Sequence, residues 1–209
     1  MTDASIVIVD YGMGNIGSVA HALDLLGGRY VVSNQRDALR HASGVILPGV
    51  GAFAAAMINL HALDLVEELS EQVLGRRKPF LGICLGMQLV ATDSVENGFS
   101  KGLGWVDAHV HAMAPPQNLR VPHVGWNGVA RKPDHPLFAR IEDNAHFYFD
   151  HSFHVACGAA ITIASCAYGD QYAAALQQDN ILAVQFHPEK SQRNGLKLLR
   201  NFLNIVAAC

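Results

Sequence analysis

The run Lys78-Pro-Phe-Leu-Gly-Ile-Cys-Leu-Gly-Met-Gln88 constrains the fold more than any other stretch of the chain. Phe80 to Ile83 reads as a buried strand, and Leu85 to Ala91 has helical spacing. Between them lies Gly82-x-Cys84-x-Gly86, a strand-turn-helix elbow of the kind hydrolases use, with Cys in place of Ser. The turn forces Cys84 into a strained conformation, and the flanking glycines relieve crowding where a side chain would clash. The thiol then sits at a helix N-terminus, whose dipole favours the thiolate. The N–H of Leu85 points where an oxyanion would form. A free cysteine is also a common core residue, but a core strand gains nothing from glycine on both sides.

A thiol nucleophile needs a base, and the base needs a group that holds its tautomer. Of the 11 histidines, His187 stands immediately after the buried strand Ile181 to Phe186, in Phe186-His-Pro-Glu189. Pro188 ends the strand, and Glu189 lies close enough to bond one imidazole nitrogen while the other faces Cys84. Taken alone, His187-Pro188-Glu189 is more simply a strand-to-helix connection. The elbow weights it towards function, because the ends of neighbouring parallel strands share one rim of a sheet, where such folds bind ligands. Leu47-Pro-Gly-Val-Gly-Ala-Phe53 is another strand end with a glycine turn before a helix. One glycine suffices for a turn. Gly49 and Gly51 on either side of Val50 suggest a backbone that approaches a ligand or flips, and that supplies a second oxyanion donor.

Strand and helix patterns alternate through the first part of the chain: Ser5 to Val9, Asn15 to Leu26 ending at Gly27-Gly28, Tyr30 to Val32, Gly44 to Leu47, and Phe53 to Leu74 as one long helix or two joined ones. From about residue 103 the segments shorten: Trp105–His111, Val121–Val129, Ala145–Phe149, Ile161–Ala167 and Ala173–Gln177 read as antiparallel strands and hairpins. Leu196 to Val206 is a closing amphipathic helix. These patterns predict a three-layer α/β fold with a mixed, mostly parallel central sheet flanked by helices. With no repeat, low-complexity segment or linker, and with Pro115 to Asn118 as an internal loop, residues 1–209 are expected to form one domain.

Composition excludes several classes. Half of the residues are hydrophobic and net charge is −3, with no basic footprint for nucleic acid. No apolar run spans a bilayer, and Met1-Thr-Asp-Ala4 has no positive n-region, so neither a membrane span nor a secretory signal is expected. Cys84, Cys157, Cys166 and Cys209 lack metal-ligand spacing, and reduced thiols fit the cytoplasm. His109-Val-His111 shares one strand face but has no third ligand at sensible spacing, so no metal is expected. Gly12-Met-Gly14-Asn-Ile-Gly17 fits the dinucleotide fingerprint but lacks an acid at the tip of the second strand, and no cofactor is expected. A cysteine esterase is disfavoured because here the acid follows the base. A non-enzymatic regulator is disfavoured by the intact triad positions.

Asp10-Tyr-Gly-Met-Gly-Asn-Ile-Gly-Ser18, Leu47–Phe53, Gly82–Gln88, Val121-Pro-His-Val-Gly-Trp-Asn127, Phe147-Tyr-Phe-Asp-His-Ser152 and Val184-Gln-Phe-His-Pro-Glu-Lys-Ser191 run in order through nearly the whole chain. Together they resemble the class I, triad-type glutamine amidotransferases, and among them the glutaminase subunits of imidazole glycerol phosphate synthase. The resemblance implies glutamine as substrate. Cys84 attacks its carboxamide, the oxyanion rests on Leu85 and the Val50–Gly51 backbone, His187 handles the proton and Glu189 orients it. It further implies that Gln88, Gly51, Ser152 and Phe153 contact substrate. Asn15, His123, Trp126 and Asn127 would lie at or near the interface with a (β/α)₈ cyclase partner that receives ammonia in histidine biosynthesis. Paralogues that serve a surface-sugar amidotransferase are the alternative. Asp150 departs from the family pattern, which usually has an aliphatic residue there.

Overall fold

The computed structural model describes residues 5–209. Met1-Thr-Asp-Ala4, the segment without a positive n-region, lies outside the described residues. In chain order the first half comprises β1 (Ile6–Val9), α1 (Ile16–Leu25), β2 (Tyr30–Ser33), α2 (Arg36–His41), β3 (Gly44–Gly49), α3 (Phe53–Ala62), α4 (Leu65–Ser70), β4 (Phe80–Cys84) and α5 (Leu85–Leu89). The second half comprises β5 (Asp93–Ser94), β6 (Ser100–Lys101), β7 (Ala108–Ala112), β8 (His123–Arg131), β9 (Ala145–His151), β10 (Phe153–Cys157), β11 (Thr162–Tyr168), β12 (Asp170–Gln178), β13 (Ile181–Val184) and α6 (Gln192–Ala207).

Nine strands form one mixed sheet in the order β2-β1-β3-β4-β13-β12-β11-β8-β9. The pairings from β2 through β13 are parallel, and those from β13 to β9 are antiparallel. Because strand side chains alternate, β1 feeds both faces. Val7 and Val9 join a core with Phe53, Leu60 and Leu69 under α3 and α4, while Ile6 and Ile8 join one with Leu23, Leu198 and Phe202 under α1 and α6. The central strands are therefore apolar on both sides, as strands covered by helices must be. Burial of a side chain such as Phe202 contributes about 2–3 kcal/mol.

The Phe53–Leu74 pattern resolves into two helices, broken where Asp64 adopts φ 52°, and closes in a π-type turn at Glu71–Gly75. The Leu85–Ala91 helix is shorter than its pattern, ending at Leu89. A second sheet, β10-β7-β5-β6, was not anticipated. Its strands β5 and β6 have only two residues each, too few for an alternation to show. Trp105 and Val106 precede β7 rather than starting it. The Trp105 indole donates to Ser70 Oγ at 3.1 Å and meets the Phe80 ring edge-on at 5.2 Å.

The register β3–β4 pairs Gly49 with Cys84, and β13–β4 pairs Val184 with Ile83. The chain ends that follow β3, β4 and β13 thus converge on one rim. α5 lies tight against that rim. A Cβ on Gly82 would stand 2.6 Å from the Gly86 carbonyl oxygen, and one on Gly86 would overlap the Leu47 carbonyl. Neither obstacle is a flexible side chain. Gly86→Ala should therefore cost about 3 kcal/mol or more. Gly17→Ala, where a Cβ meets nothing within 4 Å, should be neutral or stabilise by about 0.5 kcal/mol. Equilibrium urea unfolding of the two variants checks the contrast.

Candidate active site

Cys84 ends β4 with φ 54° and ψ −107°, a conformation a non-glycine residue adopts only under constraint. The constraint is the close packing of Gly82 and Gly86 against α5 and β3. The helix that follows has five residues, so its dipole is a weaker source of thiolate stabilisation than the sequence pattern implied.

His187 follows β13 and begins the short 3-10 turn Pro188–Lys190, which places Glu189 back beneath the ring. His187 Nδ1 and Glu189 Oε1 are 2.8 Å apart, and both side chains are buried. The Nε2 side is left for Cys84. Burial pulls the His187 pKa down, but hydrogen bonds to Cys84 and Glu189 and the charges on both outweigh it and raise the pKa to about 10. The raised pKa favours the protonated imidazole, bonded to Glu189 through Nδ1. Glu189 Oε2 has no partner among the described residues. Asn15 Nδ2 approaches the other oxygen at 3.5 Å.

A cavity of about 300 Å³ opens over this group. Val50, Gly51, Leu85, Gln88, Ser152 and Phe153 all line it, with Cys84 and His187. A larger groove of about 710 Å³ lies elsewhere, along β10–β12, and includes none of the three. Gln88 Nε2 donates to the Phe153 carbonyl at 3.1 Å and to Gln185 Oε1 at 3.2 Å, and Gln185 Nε2 donates to Cys84 Sγ at 3.7 Å. The Cys84 thiol itself donates to the Asp150 carbonyl at 3.9 Å. Asp150 therefore reaches Cys84 through its backbone, while the residue is exposed.

Among the residues read as oxyanion donors, Val50 differs from expectation. Its N–H donates to the Met13 carbonyl at 3.3 Å and so is turned to another acceptor. Gly49, on the carbonyl side of that peptide, gives it freedom to turn, and Gly51 follows at φ 101°, a conformation that favours glycine.

The residues read as interface positions separate into two groups. Trp126 is 47% exposed, packs edge-on against Tyr148 and shares its strand face with exposed Val124. Lys190 Nζ lies 5.5 Å from the Tyr148 ring centroid. His123, by contrast, is buried, stacked between Phe149 and Tyr168 at centroid distances of 4.8 and 4.0 Å, so it offers no docking surface of its own. It belongs to a relay. Asn127 Nδ2 is 3.3 Å from His123 Nε2, His123 Nδ1 is 3.1 Å from His151 Nε2, and His151 Nδ1 is 2.8 Å from the Phe153 carbonyl. Each bond has one donor and one acceptor when both rings are neutral. Burial lowers both pKa values, that of His151 to about 4 despite its bond to Phe153.

Gln185, Glu96 and Tyr11 are site residues the sequence reading missed. Gln185 stands between apolar neighbours in β13's continuation, where a polar residue signals a buried network. Glu96 lines the cavity and accepts from the Phe53 N–H at 2.6 Å; its turn, Val95-Glu-Asn-Gly98, carries no chemical signal. Tyr11 follows β1 and reads as core. His109 is taken up by Asp93, 2.8 Å away, and among the described residues no group of three or more His, Cys, Asp or Glu is placed to hold a metal ion. A constrained thiol, a carboxylate-bound imidazole and an adjoining polar cavity can perform nucleophilic acyl transfer without a cofactor.

Comparison with known proteins gives a consistent result. The glutamine amidotransferase class-I family model matches residues 7–206. The imidazole glycerol phosphate synthase subunit HisH 2 of Vibrio vulnificus (strain YJ016) is 48% identical over 202 residues, 96% of this chain and 94% of its own. Subunit HisH 1 of Campylobacter jejuni (strain RM1221) is 45% identical, over 96% of this chain and all of its own. Among solved structures, one described as a glutamine amidotransferase superposes with TM-score 0.76 at 21% identity, covering 96% of this chain and 98% of that one. A glutamine amidotransferase from Thermotoga maritima superposes with TM-score 0.71 at 17% identity, covering 100% of both chains. The solved structures bear on the fold alone.

The His187 shift sets a pH window. Its pKa is raised from 6.5, so the stability it contributes is full below about pH 6.5 and is lost as pH rises towards 10. Glu189→Gln removes part of that contribution. The stability difference between wild type and Glu189→Gln should be largest near pH 6 and shrink steadily to pH 10, measured by urea unfolding across that range.

Proposed function

The chain belongs to the class-I glutamine amidotransferases, and within them to the HisH subunits of imidazole glycerol phosphate synthase; from that premise we propose that it releases ammonia from glutamine through Cys84, His187 and Glu189. The observation that carries the proposal is the meeting of a positive-φ thiol with a buried, carboxylate-bound imidazole at the rim of one cavity.

The Cys84 thiolate attacks the carboxamide carbon of glutamine, and the charge on its oxygen is taken by the N–H groups of Leu85 and Val50. The tetrahedral adduct collapses as His187 gives its proton to the departing ammonia, leaving a glutamyl thioester on Cys84. Neutral His187 then removes a proton from water, which attacks the thioester and frees glutamate. Glu189 fixes the ring so that Nε2 stays on the sulfur side. At the amino-acid end, the Glu96 carboxylate suits the α-ammonium, while Gln88, Ser152, Phe153 and the Gly51 backbone define the pocket.

The Val50 N–H bonded to Met13 implies a resting state of low activity. The peptide must turn before the oxyanion has its second donor, and we assign that turn to docking of the cyclase partner. Trp126, Tyr148 and Val124 form the apolar centre of the docking face, with Asn127 and Asn15 behind it. Ammonia passes into the (β/α)₈ cyclase, which forms imidazole glycerol phosphate and an aminoimidazole carboxamide ribotide in histidine biosynthesis. We take residues 1–209 as one glutamine amidotransferase domain working in the cytoplasm, a compartment suited to the free thiols of Cys84, Cys157, Cys166 and Cys209. No helix of the described residues is long and apolar enough to cross a membrane.

Cys84→Ala should abolish glutamine hydrolysis in the complex while leaving the dissociation constant for the cyclase unchanged; ammonia release retained by this variant would sink the nucleophile assignment. Trp126→Ala should weaken docking by about 30-fold, since aromatic anchors at an interface centre contribute about 2 kcal/mol or more. Titration of the cyclase by isothermal calorimetry reads it out, and unaltered affinity would move the docking face elsewhere.

A further inference from the structure

Tyr11 carries a polar group that the mechanism above leaves unused. It follows β1, and continuing the β1–β3 register (Ile8 with Ile46) places it beside Gly49. Its side chain is 1% exposed, and its hydroxyl has no hydrogen-bond partner among the described residues. The hydroxyl oxygen stands 2.5 Å from the point a Cβ on Gly49 would occupy, with Leu85 Cβ 2.7 Å and the Gly86 nitrogen 3.1 Å from the same point. It is near enough to Cys84 for the thiolate charge to act on it: burial first, then that charge, raises its pKa. A phenol pressed into this position with nothing to bond is unfavourable, because a buried hydroxyl without a partner forfeits its hydration. A phenylalanine would fill the same space without that loss.

The neighbouring peptide supplies the missing acceptor. With the Val50 N–H bonded to the Met13 carbonyl, the Gly49–Val50 peptide is in the wrong orientation to serve the oxyanion. Turning it to aim the N–H at Cys84 swings the Gly49 carbonyl to the opposite side, towards β1 and the segment after it. There it leaves the Met13 carbonyl without its donor and needs a donor of its own. The Tyr11 hydroxyl is the one buried side-chain donor already against Gly49 and not otherwise engaged among the described residues.

We propose that Tyr11 is a positioning residue for the oxyanion donor: its hydroxyl is unbonded in the resting arrangement and donates to the Gly49 carbonyl once the Gly49–Val50 peptide has turned. Glycine at position 49 is then required twice, to admit the phenol and to permit the turn. The hydroxyl touches neither glutamine nor the reacting atoms. It acts by stabilising one of two orientations of a peptide, which biases that equilibrium by the differential bonding of the two states. The inference rests on the reading of Val50 as oxyanion donor.

The test compares Tyr11→Phe and Val50→Pro with wild type, as full chains in complex with the cyclase. Tyr11→Phe should lower the stimulated kcat about tenfold, the effect of one hydrogen bond present only in the turned state. KM for glutamine and the affinity for the cyclase should be unchanged. The thermal midpoint of the free chain should be equal to or above that of wild type, since the resting state loses no bond. The pH profile of Cys84 alkylation by iodoacetamide, followed by mass spectrometry, should also be unchanged, because the sulfur keeps its own partners. A stimulated kcat equal to wild type would overturn the proposal. A displaced alkylation profile would overturn it too, by making Tyr11 a partner of the thiolate. Val50→Pro removes the N–H itself: full stimulated turnover in this variant would instead refute the oxyanion reading on which the proposal stands, whereas its loss beside an unaffected Tyr11→Phe would refute the role of Tyr11 alone.

Discussion

β4 lies between β3 and β13 in a parallel register, and the site depends on that arrangement. Gly49 faces Cys84 on one side, and Val184 faces Ile83 on the other. The Gly49–Gly51 loop, Cys84 and His187 therefore leave the sheet at the same rim, although Cys84 and His187 are separated by more than a hundred residues of chain. Main-chain hydrogen bonding sets this alignment independently of the side chains at the rim. A shift of one residue would send every side chain on the strand to the other face and would part Cys84 from Gly49 and Ile83 from Val184.

On that frame sits a charge arrangement that would be unfavourable alone. His187 and Glu189 are both buried, and removing two ionised groups from water is repaid only when geometry is good and the remaining atoms are bonded. The bond between Nδ1 and Oε1 meets the first condition. The second is met only in part, because Glu189 Oε2 is unpartnered among the described residues. Unpaired atoms at Glu189 and Tyr11, together with Cys84 at positive φ, concentrate strain at this rim of the sheet. The surrounding core, two apolar layers beneath helices on either face, offsets it.

What the sequence made legible follows from the range over which each signal acts. The elbow was readable because Gly82 and Gly86 answer a local steric demand, and the structure explains it: each lies against backbone that cannot yield. His187 and Glu189 were readable for a similar reason, since a two-residue spacing across Pro188 brings them together locally. The second sheet was not, because β5 and β6 owe their existence to pairing with β7 and not to any pattern of their own. His123 illustrates the limit of motif reading. Its neighbour Trp126 is a surface residue, but alternation along β8 and the packing of Phe149 and Tyr168 turn the histidine inward. Gln185 and Tyr11 look like ordinary strand residues until the strands are aligned, and Val50 shows its resting hydrogen bond only once Met13 is seen beside it.

The claim on which the account rests is that His187 is held as a cation by Cys84 on one side and Glu189 on the other. Nitrogen-15 NMR of the histidine side chains, with His187 assigned by comparison with His187→Gln, tests it directly. The account requires both ring nitrogens of His187 to be protonated at pH 8 in the wild-type chain, and the ring to titrate well above the ordinary histidine range. A neutral imidazole at pH 8, titrating near 6.5, would contradict it.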